Sequence, residues 1–304
     1  MPDDKFLLSE FKKAIRIHAK EKVIDLDDKF NHKFYFQVHR MEDVLKNTNR
    51  IFPPNRWSYY RIELIKQGAG DFITGMYKFT AIKNTLLIIP SRVIASSKNW
   101  TADAEGYFIL FNIDFFLQNN FPVKYIEDKK ILSSSVQPNI QLTDEKAAEI
   151  AAIFETIIKE NENDGRLKDE LITLKIIELL IVSERFFSEE LNFDENLPSI
   201  NIIKKFVDLL DAEFLSERSV SFYAKKLKLH PNYLNALIKK HTGYTAKETI
   251  QNKLFLEAKY LLHSTDLSIK EITAKMGFTD PNYFTVFFKR FENLSPAGYR
   301  SSFI

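Results

Sequence analysis

Ser268-Ile269-Lys270-Glu271-Ile272-Thr273-Ala274-Lys275-Met276-Gly277-Phe278-Thr279-Asp280-Pro281-Asn282-Tyr283-Phe284-Thr285-Val286-Phe287-Phe288-Lys289-Arg290-Phe291 is the stretch whose reading decides the fold. Ser268 is a helix-capping residue, and Glu271 three positions on completes a capping box, so Ile269–Met276 reads as a short helix. Gly277 ends it, because glycine takes the left-handed conformation that closes a helix without steric cost. Asp280 then caps Pro281–Glu292, with proline at the first helical position, where its missing N–H is no loss. Two helices joined by a turn of three or four residues make a helix-turn-helix.

The same unit occurs earlier in the chain. At a constant offset of 50 residues, six of 27 positions between Val220–Ala246 and Lys270–Pro296 are identical: Ala224/Ala274, Lys225/Lys275, Pro231/Pro281, Asn232/Asn282, Tyr233/Tyr283 and Lys239/Lys289. In this first copy Ser219 or Ser221 caps Phe222–Leu227, Lys228-Leu229-His230 turns, and Pro231 opens the next helix. Each second helix has two faces. Leu234, Leu237, Ile238 and His241 in one copy, and Phe284, Phe287, Phe288 and Phe291 in the other, follow the i, i+3, i+4, i+7 rule of a core stripe. The opposite stripes are Asn232, Asn235, Ala236 and Lys239, and Asn282, Thr285, Val286 and Lys289.

A helix-turn-helix lays its second helix in the DNA major groove, so the opposite stripes are the base-reading candidates. Asparagine can bond adenine bidentately, Thr can bond a base, and Ala236 and Val286 can touch a thymine methyl. Lys239 and Lys289 reach guanine or phosphate. Arg and Gln, the strongest base readers, are missing from both stripes, so phosphate contacts and DNA shape are expected to share the work. Lys225, Lys240, Lys275, Arg290 and Arg300 are the phosphate candidates, with the backbone amides at the helix caps. One stripe alone is equally a solvated helix face; two matched copies favour an interface. Charge agrees: from Arg218 onward 14 Lys and Arg stand against 6 Asp and Glu, so +8 sits in 87 residues of a chain whose net charge is only +2. A basic module suits a polyanion.

Between the copies, Thr245–Ser264 reads as one helix with Leu254, Leu256, Ala258, Leu261 and Leu262 inward. Its length of roughly 30 Å approaches one turn of B-DNA, about 34 Å. One chain could then read two successive major grooves, a site of about 20 base pairs. Residues from about Ser199 to Ile304 resemble the DNA-binding domain of the AraC/XylS family of bacterial transcriptional regulators. The second copy carries the resemblance: Ile272 to Phe278, Asn282-Tyr283-Phe284, Phe287-Phe288-Lys289-Arg290-Phe291 and Ser295-Pro296-Ala297-Gly298-Tyr299-Arg300. Asn293 stands where the family usually has glycine; asparagine also tolerates the left-handed conformation, so no loss is expected.

Upstream, β-branched and aromatic runs at Phe34–Val38, Tyr59–Ile65, Asp71–Tyr77, Leu86–Ile89 and Tyr107–Ile113, punctuated by Gly68, Gly70 and Pro90, predict an antiparallel sandwich or small barrel. Leu7–Ile24 reads as a helical arm before it. Helices are expected over Lys146–Lys159, capped at Thr143-Asp144-Glu145, and over Leu167–Phe187. The second is apolar on two sides, at Leu171, Leu174, Ile177 and Ile181 and at Ile172, Ile176, Leu179 and Leu180. The barrel could cover one side and a second subunit the other; burial within one monomer is the alternative. Ser188–Pro198, polar, acidic and closed by proline, is the linker candidate, and Ile202–Phe214 is a further helix. The predicted organisation is α+β. A cupin-like antiparallel β-barrel with its arm fills 1–140, a helical dimerisation pair 141–190, a linker 191–200, and an all-α double helix-turn-helix domain 201–304. The barrel and helical pair resemble the same family's sensor and dimerisation parts, on the strand pattern and Tyr107-Phe108-Ile109-Leu110-Phe111.

That resemblance implies a double-stranded DNA partner, a small-molecule effector in the barrel, a homodimer, and RNA polymerase as a candidate partner. For an effector that is apolar or aromatic, Tyr35, Trp57, Tyr60, Arg61 and Trp100 are the lining candidates, with Arg61 for a carboxylate; an aromatic at such a place is more often a core or rim residue. No histidine lies between Tyr59 and Ile113, so a metal-dependent cupin enzyme is not expected, nor any cofactor. Gly68-Ala69-Gly70 lacks the rest of a nucleotide fingerprint and reads as a turn. The chain has no cysteine, which removes disulfides, thiolate metal sites and the nucleophile that the family's alkylation-repair members need. No apolar run is long enough to span a membrane, and the polar Met1-Pro2-Asp3-Asp4-Lys5 start argues against a secretory signal, so a cytoplasmic location is expected. The rival reading is a metal-free ligand-binding barrel or enzyme whose C-terminal helices mediate only protein contacts.

Overall fold

The computed structural model describes residues 36–48, 50–134, 136–190 and 198–302. The helical arm expected at Leu7–Ile24, Tyr35, and most of the 191–200 linker fall outside them. The chain divides into two compact units, one built mainly from residues up to Phe193 and the other mainly from residues after Asp194.

The first unit opens with β1 (Phe36–Arg40), α1 (Met41–Asn47), β2 (Phe52–Arg56), β3 (Tyr60–Gln67), β4 (Gly70–Thr74), β5 (Tyr77–Ala81), β6 (Thr85–Ile89), β7 (Ile94–Lys98) and β8 (Glu105–Phe111). It continues with α2 (Ile113–Gln118), α3 (Val123–Glu127), β9 (Asn139–Gln141), α4 (Asp144–Glu162) and α5 (Lys168–Glu190). Its strands form a five-stranded sheet in the order β1-β8-β3-β6-β9 and a four-stranded sheet β2-β7-β4-β5. These antiparallel sheets fit the cupin-like expectation, although no continuous ladder closes them into one barrel.

Register explains what each face does. Ile62 lies opposite Ile88 and Ile109, Leu64 opposite Leu86 and Tyr107, and Phe36 opposite Phe111. Residues directly opposite share a face, so these line one side of the larger sheet. That side forms a single buried cluster with Ile150, Phe154 and Ile157 of α4 and Ile172, Ile176 and Leu180 of α5. The alternate residues on β3 point the other way. There Ile65 and Leu87 join Phe72, Ala81 and Trp100 in a second cluster.

The predicted strand Asp71–Tyr77 ends early as β4, because Gly75 takes φ +56 and turns the chain into β5, which only Tyr77 of the predicted range enters. Strand β2 escapes a sequence reading because it contains Pro53 and Pro54; it sits at a sheet edge, where a missing N–H breaks no ladder. Thr143 caps α4 by accepting from the Lys146 amide. On α5 the two apolar sides differ. Ile172, Ile176, Leu179 and Leu180 are buried, and Ile177 of the second side is buried with them, while Leu171 and Leu174 remain 47% and 57% exposed and Ile181 is exposed beside them. Burial wholly within one monomer therefore does not describe this helix.

The second unit is helical: α6 (Pro198–Glu213), α7 (Val220–Lys226), α8 (Pro231–Thr242), α9 (Ala246–Ser264), α10 (Ile269–Lys275), α11 (Pro281–Phe291) and α12 (Pro296–Ser301). Phe206, Tyr223, Phe284 and Phe288 are among its largest fully buried side chains, and Leu234, Ile238, Leu254 and Tyr299 are buried with them.

Candidate nucleic-acid interface

Each helix-turn-helix is capped as its residues require. Ser219, not Ser221, caps α7 by accepting from the Phe222 amide. His230 Nδ1 accepts from the Asn232 amide at 3.3 Å at the start of α8. In the second copy Ser268 and Glu271 form the reciprocal capping box of α10, and the hydrogen bonds from Ser268 hold the Glu271 carboxyl below the usual carboxylate range. Asp280 Oδ1 accepts from the Asn282 amide at 2.8 Å to start α11. Four of the amides expected to meet phosphate, those of Phe222, Asn232, Glu271 and Asn282, are thus already engaged by their own caps.

The constant offset of 50 holds only for the second helix of each pair. His230 and Asp280, the two N-caps, are 50 residues apart, but Ser219 and Ser268 are 49 apart. The closing bonds of the first helices keep the shorter spacing: the Leu229 amide donates to Ala224 O at 2.8 Å and the Phe278 amide to Thr273 O at 3.0 Å. Lys228, with φ +58, therefore occupies the left-handed place that Gly277 fills with φ +69. One extra residue in the second turn makes up the difference. Structurally, Lys275 corresponds to Lys226 and Lys225 to Ala274, so the identities Ala224/Ala274 and Lys225/Lys275 do not pair equivalent positions.

Along α8 and α11 the two copies agree closely. Leu234 and Ile238, like Phe284 and Phe288, are fully buried. Leu237 and Phe287, and His241 and Phe291, are half-buried. The opposite stripes face solvent: Asn232, Ala236 and Lys239 are exposed with Asn235 half-buried, and Asn282, Val286 and Lys289 are exposed with Thr285 half-buried. Asn235 Oδ1 accepts from the Lys247 amide at 3.4 Å, which ties the start of α9 to α8. Tyr233 and Tyr283 were missed as interface residues. They are 50% and 71% exposed on the first turn of their helices, and their identity in both copies was the signal that could have found them.

Among the phosphate candidates, Lys225, Lys240, Lys275 and Arg290 are exposed. Arg300 is placed differently. Its Nε donates to Leu262 O at 3.0 Å and an Nη to Thr265 O at 3.4 Å, so its guanidinium closes the last turn of α9 where carbonyls lack helical partners. Asn293 does not take the left-handed conformation; α11 ends instead at Glu292 with φ −129. The linking helix α9 starts with a second capping box, Thr245 with Glu248, and runs 19 residues, about 28 Å at the usual rise. Its Phe255 stacks on Phe291 at 5.0 Å, and Lys259 pairs with Glu292 at 2.8 Å, so α11 is seated directly on the linking helix.

Among the described residues, the effector candidates Trp57 and Arg61 are brought together, whereas Tyr60 and Trp100 lie apart from them in separate clusters. Tyr60 and Arg61 are successive on β3 and point to opposite faces. Tyr60 stacks on Phe111 at 5.5 Å, in the cluster under α4 and α5. Trp100 is buried in the other cluster, against Gly70 and Phe72, with its indole N–H donated to Ser97 Oγ at 3.1 Å. Arg61 lies 2.6 Å from Glu63 Oε1, both buried, with its guanidinium 5.2 Å from the Trp57 ring centroid. Burial holds the Glu63 carboxyl above its usual range despite the opposing pull of Arg61. A buried arginine already balanced by its own carboxylate is a poor place for a second anion.

Residues 223–302 match the family described as a helix-turn-helix domain. The chain is 26% identical over 250 residues to the transcriptional activator RhaS of Mannheimia succiniciproducens, covering 81% of this chain and 88% of that protein. It is 31% identical over 100 residues to the transcriptional regulator YtdP of Bacillus subtilis, covering 33% of this chain and 13% of that protein. Among solved structures, ToxT of Vibrio cholerae aligns over 88% of this chain and 98% of its own at 15% identity, with a TM-score of 0.41. The chain thus spans most of one relative's length and a small fraction of another's.

Proposed function

We propose that the protein, whose residues 223–302 match a helix-turn-helix domain family, is a sequence-specific DNA-binding transcription regulator of the AraC/XylS type. One observation carries the reading: two helices, α8 and α11, repeat the same alternation of buried and exposed positions and present Asn232, Lys239, Asn282 and Lys289 to solvent. In this reading Asn232, Asn235, Ala236, Asn282, Thr285 and Val286 face base edges, and Lys239 and Lys289 beside them contact guanine and the adjoining phosphate. Lys225, Lys240, Lys275 and Arg290 meet phosphates, joined by Lys226, the true counterpart of Lys275. Arg300 holds the scaffold.

A regulator needs a symmetric or tandem arrangement on its operator, and the exposed stripe Leu171, Leu174 and Ile181 on α5 supports a homodimer joined there. The spacing of three and seven residues is that of a coiled-coil seam. A small-molecule effector acting through the first unit, contact with RNA polymerase, and a cytoplasmic location belong to the same reading; no described helix is long and apolar enough to cross a membrane. The reading has no catalytic role for the chain. The test is a titration of DNA affinity against salt for the protein and for Lys239→Ala with Lys289→Ala. The double variant should bind more weakly and lose about two units of slope in log K against log salt. An unchanged affinity and slope would remove α8 and α11 from the groove.

A further inference from the structure

We propose that Arg218 is a positioning residue: it fixes the second recognition helix to the first helix-turn-helix by a strut that does not pass through α9. Arg218 directly precedes Ser219, the cap of α7. The segment before it belongs to the first motif, because the buried Tyr223 of α7 donates its hydroxyl to Glu217 O at 2.7 Å and packs its ring 5.6 Å from Phe206 of α6. From there Arg218 reaches across to the second motif. Its Nη2 donates to Met276 O at 2.7 Å, the carbonyl that ends α10. Its guanidinium carbon lies 4.0 Å from the centroid of the Phe278 ring, a close cation–π contact. Phe278 in turn packs at 5.4 Å on Phe284 and 5.3 Å on Phe287, both on α11. The chain of contacts therefore runs from α7, through Arg218 and Phe278, to the recognition helix of the other motif.

Gly277 is the second sign that this approach is built in. A Cβ there would lie 2.5 Å from Leu215 O, so the backbone of residue 277 meets the backbone of the first motif with no room for a side chain. Positive φ alone does not demand glycine at this place, since Lys228 holds the same position of the first turn with φ +58. Glycine appears only where the other motif presses close. Two contacts made by side chain and backbone thus stand beside α9 as a second tie between motifs.

The consequence is that the angle between α8 and α11 is set by more than the linking helix, and with it the spacing of half-sites the protein accepts. That bearing on DNA rests on the DNA-binding reading; the strut itself can be measured without DNA. The chain contains no cysteine, so Ser221→Cys with Lys270→Cys, both exposed and one on each motif, gives two clean spin-label sites in the full-length protein. Pulsed electron paramagnetic resonance should show one narrow distance in this background. It should show a broadened or shifted one in Arg218→Ala and, independently, in Gly277→Ala, with Arg218→Lys between. Folded variants that keep the narrow, unshifted distance would overturn the strut. On DNA, one base pair inserted between half-sites turns the second by about 35°; the affinity lost on insertion should be smaller in Arg218→Ala than in the parent. An equal loss would refute the role in spacing, whereas a protein that binds no DNA in any form refutes the regulator reading and leaves the distance result to decide the strut.

Discussion

Tyr283 holds most of its surface in water on the first turn of α11, and Tyr233 holds half of its own there on α8. A phenol kept outside the core in both copies of a duplicated motif has the reach to donate to a phosphate, a contact that positions a protein on DNA without reading sequence. The neighbouring asparagines have the opposite character, since a bidentate amide distinguishes adenine. The two should separate under mutation. Tyr233→Phe with Tyr283→Phe should cost about 0.5–1.5 kcal/mol per hydroxyl, evenly across DNA sequences. Asn232→Ala or Asn282→Ala should cost about 1–3 kcal/mol on the preferred site and relax preference at one base position. Binding assays on the preferred and on scrambled duplexes check both, and a sequence-selective loss in the tyrosine pair would reverse the assignment. At this scale the sequence spoke clearly for α8 and α11, because burial there follows the 3.6-residue period. It spoke poorly for Arg61, Trp57, Tyr60 and Trp100. Residue type alone suggests an aromatic pocket with a cation, but strand alternation sends Tyr60 away from Arg61, and Glu63 two residues on neutralises it.

The helix α5 is the element with the most to explain. Its Ile172, Ile176 and Leu180 close the core over the larger sheet, yet Leu171, Leu174 and Ile181 on its other side meet solvent. Leaving those side chains about half wet forgoes roughly 1 kcal/mol each, which a second copy would recover. Leu171→Asp with Leu174→Asp should therefore convert a dimer to monomer in sedimentation at micromolar concentration with little change in thermal stability. Monomer in both proteins would dismiss the interface, and a large stability loss would show the stripe to be core. The period of this helix was readable in sequence, as were the caps Thr143, Ser268 and Asp280. The extra residue between Met276 and Asp280 was not. A constant-offset alignment rewards the identities Ala224/Ala274 and Lys225/Lys275, while the true register of α7 on α10 is kept by cap geometry and by Lys228 and Gly277 sharing the left-handed position. Short strands were the other loss: β2 carries two prolines and β9 has three residues, so neither has a pattern to read.

Across the whole molecule the net charge of +2 conceals a +8 module at the C-terminal end. That module holds two capped helix-turn-helix units, a 19-residue helix between them, and the Arg218 strut. The arrangement accounts for why the chain spends lysines and asparagines on matched positions of α8 and α11 and phenylalanines on their inner faces. The most direct measurement of the central claim is footprinting of the full-length protein on genomic fragments at several salt concentrations. Two grooves read by one chain predict a protected region of about 20 base pairs per monomer, with affinity falling steeply as salt rises. Protection of a single half-site of a few base pairs, or no protection at low salt, would contradict it.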